Sequence, residues 1–402
     1  MSAHTILRLP APERVVPARF VLSTVFLILA IVGAVVSLIG AFCQPHQFAF
    51  SWFTAFYYFF TICAGSIFWL LLHYVCNGSW DILIRRIWEN LAVLFPVLLV
   101  IFLPILIIPE LRNTIWTWMP LAGTGDHELA VRSGYLNIPF FYIRVIGYFA
   151  FFTGVALYYR NNSLKQDADG SHIWGFRCHY HSYFLMTLWA LIETFASFDW
   201  FMGIGQSWKW SSSLFGAYHF AVCAQAGLAA CIVIAAWLQS NGYLTRLNRE
   251  HYHLAGKLLL GFSILWAYFA FGQFLLIWYA NIPEETIFYN DHNRYLWKYL
   301  TYFLIVGKFM FPVIYLLAQD TKRNLRGLAS IAIWVLFMHA VEMYWFVAPY
   351  AHPTTLVPSW LDPVAFITVG SILGYAYIRI MSSAALFPYR DPRMAECLTV
   401  SN

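Results

Sequence analysis

Charge is what this sequence of 402 residues has least of: only 11% of it is Asp, Glu, Lys or Arg, where a soluble domain carries roughly a quarter. With 61% hydrophobic and 20% aromatic residues and a mean hydropathy of +0.63, it has too few polar side chains to cover one water-soluble globule. A soluble enzyme, a nucleic-acid binder and a disordered regulator are excluded, and the bilayer is the solvent. The cysteines at 43, 63, 76, 178, 223, 231 and 397 form no C-x-x-C or C-x-x-C-H spacing. That argues against an iron–sulfur cluster, structural zinc or covalently attached haem in this chain, and most of them read as small buried thiols in apolar runs. No loop is long enough for a separate domain. The two largest, 109–138 and 160–182, read as polar connectors rich in Gly, Asn and Asp.

What fills the chain is apolar helix. About 20 such residues cross the hydrocarbon core, and ten segments qualify: 20–42, 50–76, 88–108, 139–159, 183–201, 214–238, 256–280, 297–318, 327–348 and 363–386. The expected fold is an all-α integral membrane protein with ten transmembrane helices. The first segment follows Arg8, Arg14 and Arg19 like a signal peptide, but it is too long and is followed by no small-residue cleavage pattern, so it reads as an uncleaved helix. Alternate loops and both ends hold 17 Lys and Arg against 5 on the other side, which places residues 1–19 and the tail 387–402 in the cytoplasm. The net charge of +5 is thereby a topology signal and calls for no nucleic acid. Trp116, Trp118, Trp200, Trp208, Trp210, Trp345 and Trp360 sit at span ends like an interfacial belt.

A weak internal repeat runs through the spans. Tyr142, Gly147, Phe149 and Phe151 recur as Tyr302, Gly307, Phe309 and Phe311. Trp189-x-Leu191 and Trp200-Phe201 recur as Trp334-x-Leu336 and Trp345-Phe346. Spans four helices apart run the same way, so two parallel four-helix units are expected, spans 2–5 (50–201) and 6–9 (214–348), with spans 1 and 10 peripheral.

A charge at mid-bilayer costs about 2.5–3.5 kcal/mol on insertion scales, so ionisable residues within spans are candidates for function. Arg144, Asp199, His219 and Glu342 fall toward the outer side, Glu193, Lys308 and His339 near the middle, and Glu89, His251, His253 and Lys257 at the cytoplasmic edge. His339 and Glu342, three positions apart, share a helix face and suit a proton relay. Glu193 has Thr194 and Ser197 as local hydroxyl partners, whereas Asp199 faces largely the other way. Bland readings stand beside these. Arg144 and Asp199 would snorkel or cap, Lys308 and Glu193 would neutralise each other, and His219 would be a structural hydrogen-bonding histidine. His219 and His339 differ in depth, which argues against a bis-histidine haem. The tract Gly170–His181 has no metal-ligand spacing.

Three stretches carry more than composition. They are Ser197-Phe-Asp199-Trp200-Phe201-Met202 with Ser213-Leu-Phe-Gly216-Ala-Tyr218-His219-Phe220-Ala221; His253-Leu-Ala-Gly256-Lys257 continuing through Trp266 to Trp278-Tyr279-Ala-Asn281-Ile-Pro283-Glu284-Glu285-Thr286; and His339-Ala-Val-Glu342-Met-Tyr344-Trp345. Over nearly the whole chain this set resembles the NrfD/polysulfide-reductase membrane family, in particular the F subunits of bacterial alternative complex III. The resemblance implies a cofactor-free, non-catalytic subunit of a respiratory quinol:cytochrome c oxidoreductase in the bacterial inner membrane, surrounded by membrane lipid. It implies partners too: a paralogous ten-helix subunit that binds quinol (menaquinone, for example), an iron–sulfur subunit and multihaem cytochrome c subunits. It also implies half-channels for protons, here carried by Glu193, Asp199, His219, Lys308, His339 and Glu342. The family more often has Asp where this chain has Glu342, and it usually carries an outer-loop acid where this chain reads Met202-Gly-Ile-Gly-Gln206. The rival readings are a subunit that itself binds quinone, with His219 and Asp199 on the head group, and a secondary transporter, against which stand the lack of an inverted repeat and of paired broken helices.

Overall fold

In a computed structural model, residues 11–14 and 21–400 are described. Arg8, Arg19 and most of the segment 1–19 lie outside the described residues. Among them the chain is helical without strands, and ten helices are long and apolar enough to cross a membrane. These are α1 (Val21–Cys43), α2 (Pro45–Val75), α3 (Ile82–Ile107), α4 (Ile138–Asp169), α5 (Ile173–Met202), α6 (Phe215–Ser240), α7 (Arg249–Ala280), α8 (Trp297–Leu317), α9 (Leu325–Ala351) and α10 (Leu361–Ser382). Short helices at Pro109–Ile115, His127–Arg132, Pro283–Asn293, Gln319–Arg323 and Met394–Leu398 join or follow them.

Helix signals in the sequence account for the main boundaries. Asn137 and Asn248 accept backbone N–H bonds at the starts of α4 and α7, and Gly170 ends α4 in the left-handed conformation (φ 73°) that favours glycine. Two helices contain a π-helical turn, Phe198–Met202 in α5 and Ile305–Met310 in α8. Such bulges redirect side chains and gather at functional sites. They hold Asp199 and Lys308.

α2 and α6 form the centre. α2 packs on α6, α10, α3, α5 and α9, and α6 also packs on α7, α9 and α5. α4 lies against α3 and α5, α8 against α7 and α9, and α1 against α10. The central pair meets backbone to backbone: a Cβ on Gly65 would lie 1.8 Å from the Cys223 carbonyl oxygen, and one on Gly227 would lie 2.7 Å from the Gly65 carbonyl carbon. No side chain fits there, and small residues at such crossings let membrane helices approach closely.

Several sequence-based expectations change here. The connector expected over 160–182 is almost all helix, since α4 runs to Asp169 and α5 begins at Ile173. The loop 109–138 holds two short helices that fold over the bundle. Trp116, Trp118, Trp200, Trp208 and Trp210 are therefore core residues and not an interfacial belt, and Trp345 is buried as well, its indole N–H donated to Thr301. Most of their rings pack on phenylalanines, as Trp200 does on Phe56, Phe60, Phe102 and Phe149. Trp360 remains exposed as expected. Of the seven cysteines, 63, 178, 223, 231 and 397 are buried, while Cys43 and Cys76 are exposed.

Candidate functional site

Five of the six ionisable residues singled out in the spans converge on α2, in two neighbouring clusters. In the first, His219 of α6 stands between Glu193 of α5, which contacts its Nδ1, and the Tyr57 hydroxyl, 2.7 Å from its Nε2. With Nδ1–H donated to the carboxylate, Nε2 accepts from tyrosine, which fixes the tautomer through the partners. The Cys223 thiol lies 3.7 Å from both the Glu193 carboxylate and the imidazole. Glu193 Oε2 is buried without a hydrogen-bond partner.

In the second cluster, Lys308 of α8 forms an ion pair with Glu342 Oε2 of α9. The other oxygen of Glu342 accepts from the Tyr218 hydroxyl at 2.5 Å and from the Trp266 indole N–H at 2.6 Å. His339 Nδ1 is 3.5 Å from Glu342 Oε2, and its Nε2 is 2.7 Å from the Thr61 hydroxyl. The expected pairing of His339 with Glu342 is thus present at ion-pair distance. Tyr57 and Thr61 are one turn apart on α2, so one helix face carries a contact to each cluster.

Other expectations are corrected by this arrangement. Lys308 and Glu193 do not neutralise each other; each has its own partner of opposite character, Glu342 and His219. Thr194 and Ser197 do not serve Glu193, because Ser197 donates to the Thr194 carbonyl at 2.7 Å and Thr194 packs where a Cβ on Gly216 would fall. Arg144 and Asp199 neither snorkel nor cap. They make a buried two-pronged ion pair, Nε–Oδ2 2.7 Å and Nη2–Oδ1 2.8 Å, joined by the Tyr148 hydroxyl at 2.6 Å. Asp199 faces away from Glu193, as its offset of six residues indicated, and none of these bonds links it to the two clusters.

The second cluster borders a cavity of about 740 Å³ between α7, α8 and α9. Glu342, Gln273, Asn293, Tyr218, Tyr289 and Thr301 are among the polar members of a wall made mostly of aromatic and aliphatic side chains. Gln273 is buried with its Oε1 unpartnered. Tyr268, Phe271 and Tyr302, all exposed, stand at the mouth.

A third polar group gathers around Glu89, one of the ionisable residues expected at the cytoplasmic edge. Arg85 and Arg86, counted as loop residues, are wholly buried at the start of α3, where both flank Glu89 at 3.4 and 3.2 Å. Arg85 also binds Asp391 of the tail at 2.8 Å and His73 at 2.8 Å, His73 binds Asp81 at 2.7 Å, and Arg86 binds Asp167 at 2.6 Å. The signal was there: Arg85, Arg86 and Glu89 at i,i+3 and i,i+4 make a self-complementary set. Tyr57, Thr61, Tyr218 and Trp266 were missed because aromatic and hydroxyl residues in a span carry no mark of what they face.

No family model matches the chain, and no curated protein matches it.

Proposed function

We propose that this chain is a proton-conducting, cofactor-free membrane subunit of a respiratory quinol oxidoreductase of the alternative complex III type. The observation that carries this reading is the pair of buried acid–base clusters, Tyr57–His219–Glu193 and Lys308–Glu342–His339–Thr61, held by adjacent turns of α2. Each contains a carboxylate beside a histidine, the groups best suited to take up and release a proton when a neighbouring charge changes. A buried ion pair stabilises little by itself, so its retention at mid-bilayer favours a role beyond folding. In this reading the rings α2–α3–α4–α5 and α6–α7–α8–α9 are two parallel four-helix units that meet at Gly65 and Gly227, and both termini are cytoplasmic. Asp199, clamped by Arg144, fixes the geometry of α5.

The experiment is mild detergent purification from native membranes, with mass spectrometry and a haem spectrum of what co-elutes. The reading expects a multihaem cytochrome c, an iron–sulfur protein and a second ten-helix subunit. A chain that elutes alone, without haem, contradicts it.

The cavity supports a second reading, in which this chain itself holds a quinone. In its quinol form, a flat head group reaching Gln273 and Glu342 would donate one hydroxyl to the unpartnered Gln273 Oε1 and find a carboxylate for its protons. This differs from a head group at His219 and Asp199, which are walled off by Tyr57, Phe201 and Tyr148. Organic extraction of the purified chain distinguishes the two: stoichiometric quinone that is lost in Gln273→Leu supports the second reading, and its absence opposes it.

A further inference from the structure

Where α7 and α9 meet the basic face of the molecule, the positive charges of Lys257, Lys322 and Arg323 outnumber the one acid facing them, Glu250. Lys322, in the short helix Gln319–Arg323, is 6% exposed. Its stem crosses α7 at Gly256, where a Cβ would lie 2.8 Å from Lys322 Cγ. Among the described residues Lys322 has no hydrogen-bond or ion-pair partner. Burial and the nearby Lys257 ammonium lower its pKa from the ordinary lysine value. His253 shares this spot, 6% exposed with Nδ1 unpartnered, within the fields of Lys257, Lys322 and Arg323. Two acids lie close by, and the field of Glu250, whose Oε2 is buried without a hydrogen-bond partner, reaches His253. Glu250 pairs with Arg323 at 3.1 Å, and Asp320, two positions before Lys322 and so across its helix, lines a separate crevice with Arg249.

Positive-inside topology explains basic residues near a membrane surface. It does not explain a lysine whose side chain is almost wholly buried and whose ammonium stands near that of Lys257. Such a group is costly unless an anion completes it.

The apolar surface next to it has the matching shape. Lys257, Gly261, Ile264, Tyr268, Phe271 and Leu275 recur at helical spacing along one stripe of α7. Gly261 opens on empty space, and Ile264, Tyr268, Phe271 and Leu275 are all exposed. On α8, the turn that leads toward Lys322 exposes Ile314 and Leu317. A basic socket thus sits at the head of an apolar furrow, and basic pockets between membrane helices take anionic lipid head groups.

We propose that Lys257, Lys322 and His253 bind the phosphate of an anionic phospholipid, with one acyl chain lying along the Gly261–Leu275 stripe of α7. The head-group socket is separate from the proton clusters, and the acyl chain would pass the mouth of the cavity at Tyr268 and Phe271. A bound anion removes the repulsion between the two ammonium groups and ties the Gln319–Arg323 turn to α7.

The test is native mass spectrometry of the purified full-length chain titrated with phosphatidylglycerol, phosphatidylcholine or inorganic phosphate. Phosphatidylglycerol is expected to bind at least about five-fold more tightly than phosphatidylcholine. Each neutralisation, Lys257→Gln or Lys322→Gln, is expected to weaken phosphatidylglycerol roughly five-fold, from the field of one charge near a membrane surface. Phosphatidylcholine should be unaffected. Lys322→Arg should retain the preference, and Lys298→Gln on the other face should leave it unchanged. Equal binding of the two lipids overturns the proposal, as does loss of the preference in Lys322→Arg. Displacement of phosphatidylglycerol by equimolar inorganic phosphate would make a free anion the ligand and overturn it likewise.

Discussion

At the scale of single residues, the buried clusters are defined by which charge faces which. Spacing along one helix put His339 and Glu342 on a common face, and that was legible. The partners of Lys308 and Glu193 were not, because pairing between helices depends on the rotation of each about its axis, and the π-helical turn at Ile305–Met310 re-aims Lys308. The pairing has a direct consequence for stability. Removing one member of a buried ion pair strands the other, at a cost of about 3–5 kcal/mol, whereas replacing both by apolar groups is often neutral. Lys308→Met should therefore lower the detergent melting temperature sharply, and Lys308→Met with Glu342→Leu should recover most of the loss. A double variant that melts below the single one would contradict the pairing. The Arg144–Asp199 clamp behaves differently: Asp199→Asn keeps the shape but leaves Arg144 unneutralised, so it should destabilise the fold.

At the scale of elements, hydropathy made all ten helices legible, since ~20 apolar residues in a row have few alternatives. It could not show how far helices continue past the membrane. α4 reaches Asp169 through Arg160 and Lys165, polar residues that read as loop but keep helical geometry as far as Gly170. Nor could it separate tryptophans at span ends that face lipid from those beneath the folded-over segment 109–138. The Gly65–Gly227 crossing gives a sharp prediction. Gly65→Ala drives a methyl group into the Cys223 backbone and should destabilise by about 1–3 kcal/mol, as overpacking does. Gly147→Ala on α4 meets nothing within 4 Å and should gain up to about 1 kcal/mol from helix propensity. Thermal unfolding monitored by size exclusion separates the two.

The tail is an element with its own switch. Although burial acts to raise the Asp391 pKa, the Arg85 guanidinium beside it holds the carboxyl below the usual aspartate value. A depressed folded-state pKa contributes stability above the unfolded value, near 3.9, and loses it as pH falls through the folded one. Protease sensitivity of residues 387–398 should thus be low and constant at neutral pH and rise only below about pH 4. Asp391→Asn should be sensitive throughout. Equal protection of the two forms at pH 7 would contradict the anchor.

At the scale of the molecule, α2–α3–α4–α5 and α6–α7–α8–α9 each form a run of helix contacts, and the broad contact of α2 on α6 joins the two runs; their division into two parallel units belongs to the proposed reading. The buried clusters lie where the two sets meet, on α2, α5, α6, α8 and α9, and a path that crossed the membrane there would pass between the units. What the sequence could not express is that five residues scattered over 150 positions, 193 to 342, share one locale, because only the packing of α2 against α6 and α9 brings them together. The central claim is that this locale carries protons. Its most direct measurement is the number of protons moved per electron by the intact complex in vesicles, for wild type, Glu193→Gln and Glu342→Gln. The account predicts that quinol turnover stays largely intact while proton movement per electron falls in both variants. An unchanged ratio in both, with folded and assembled protein, would contradict it.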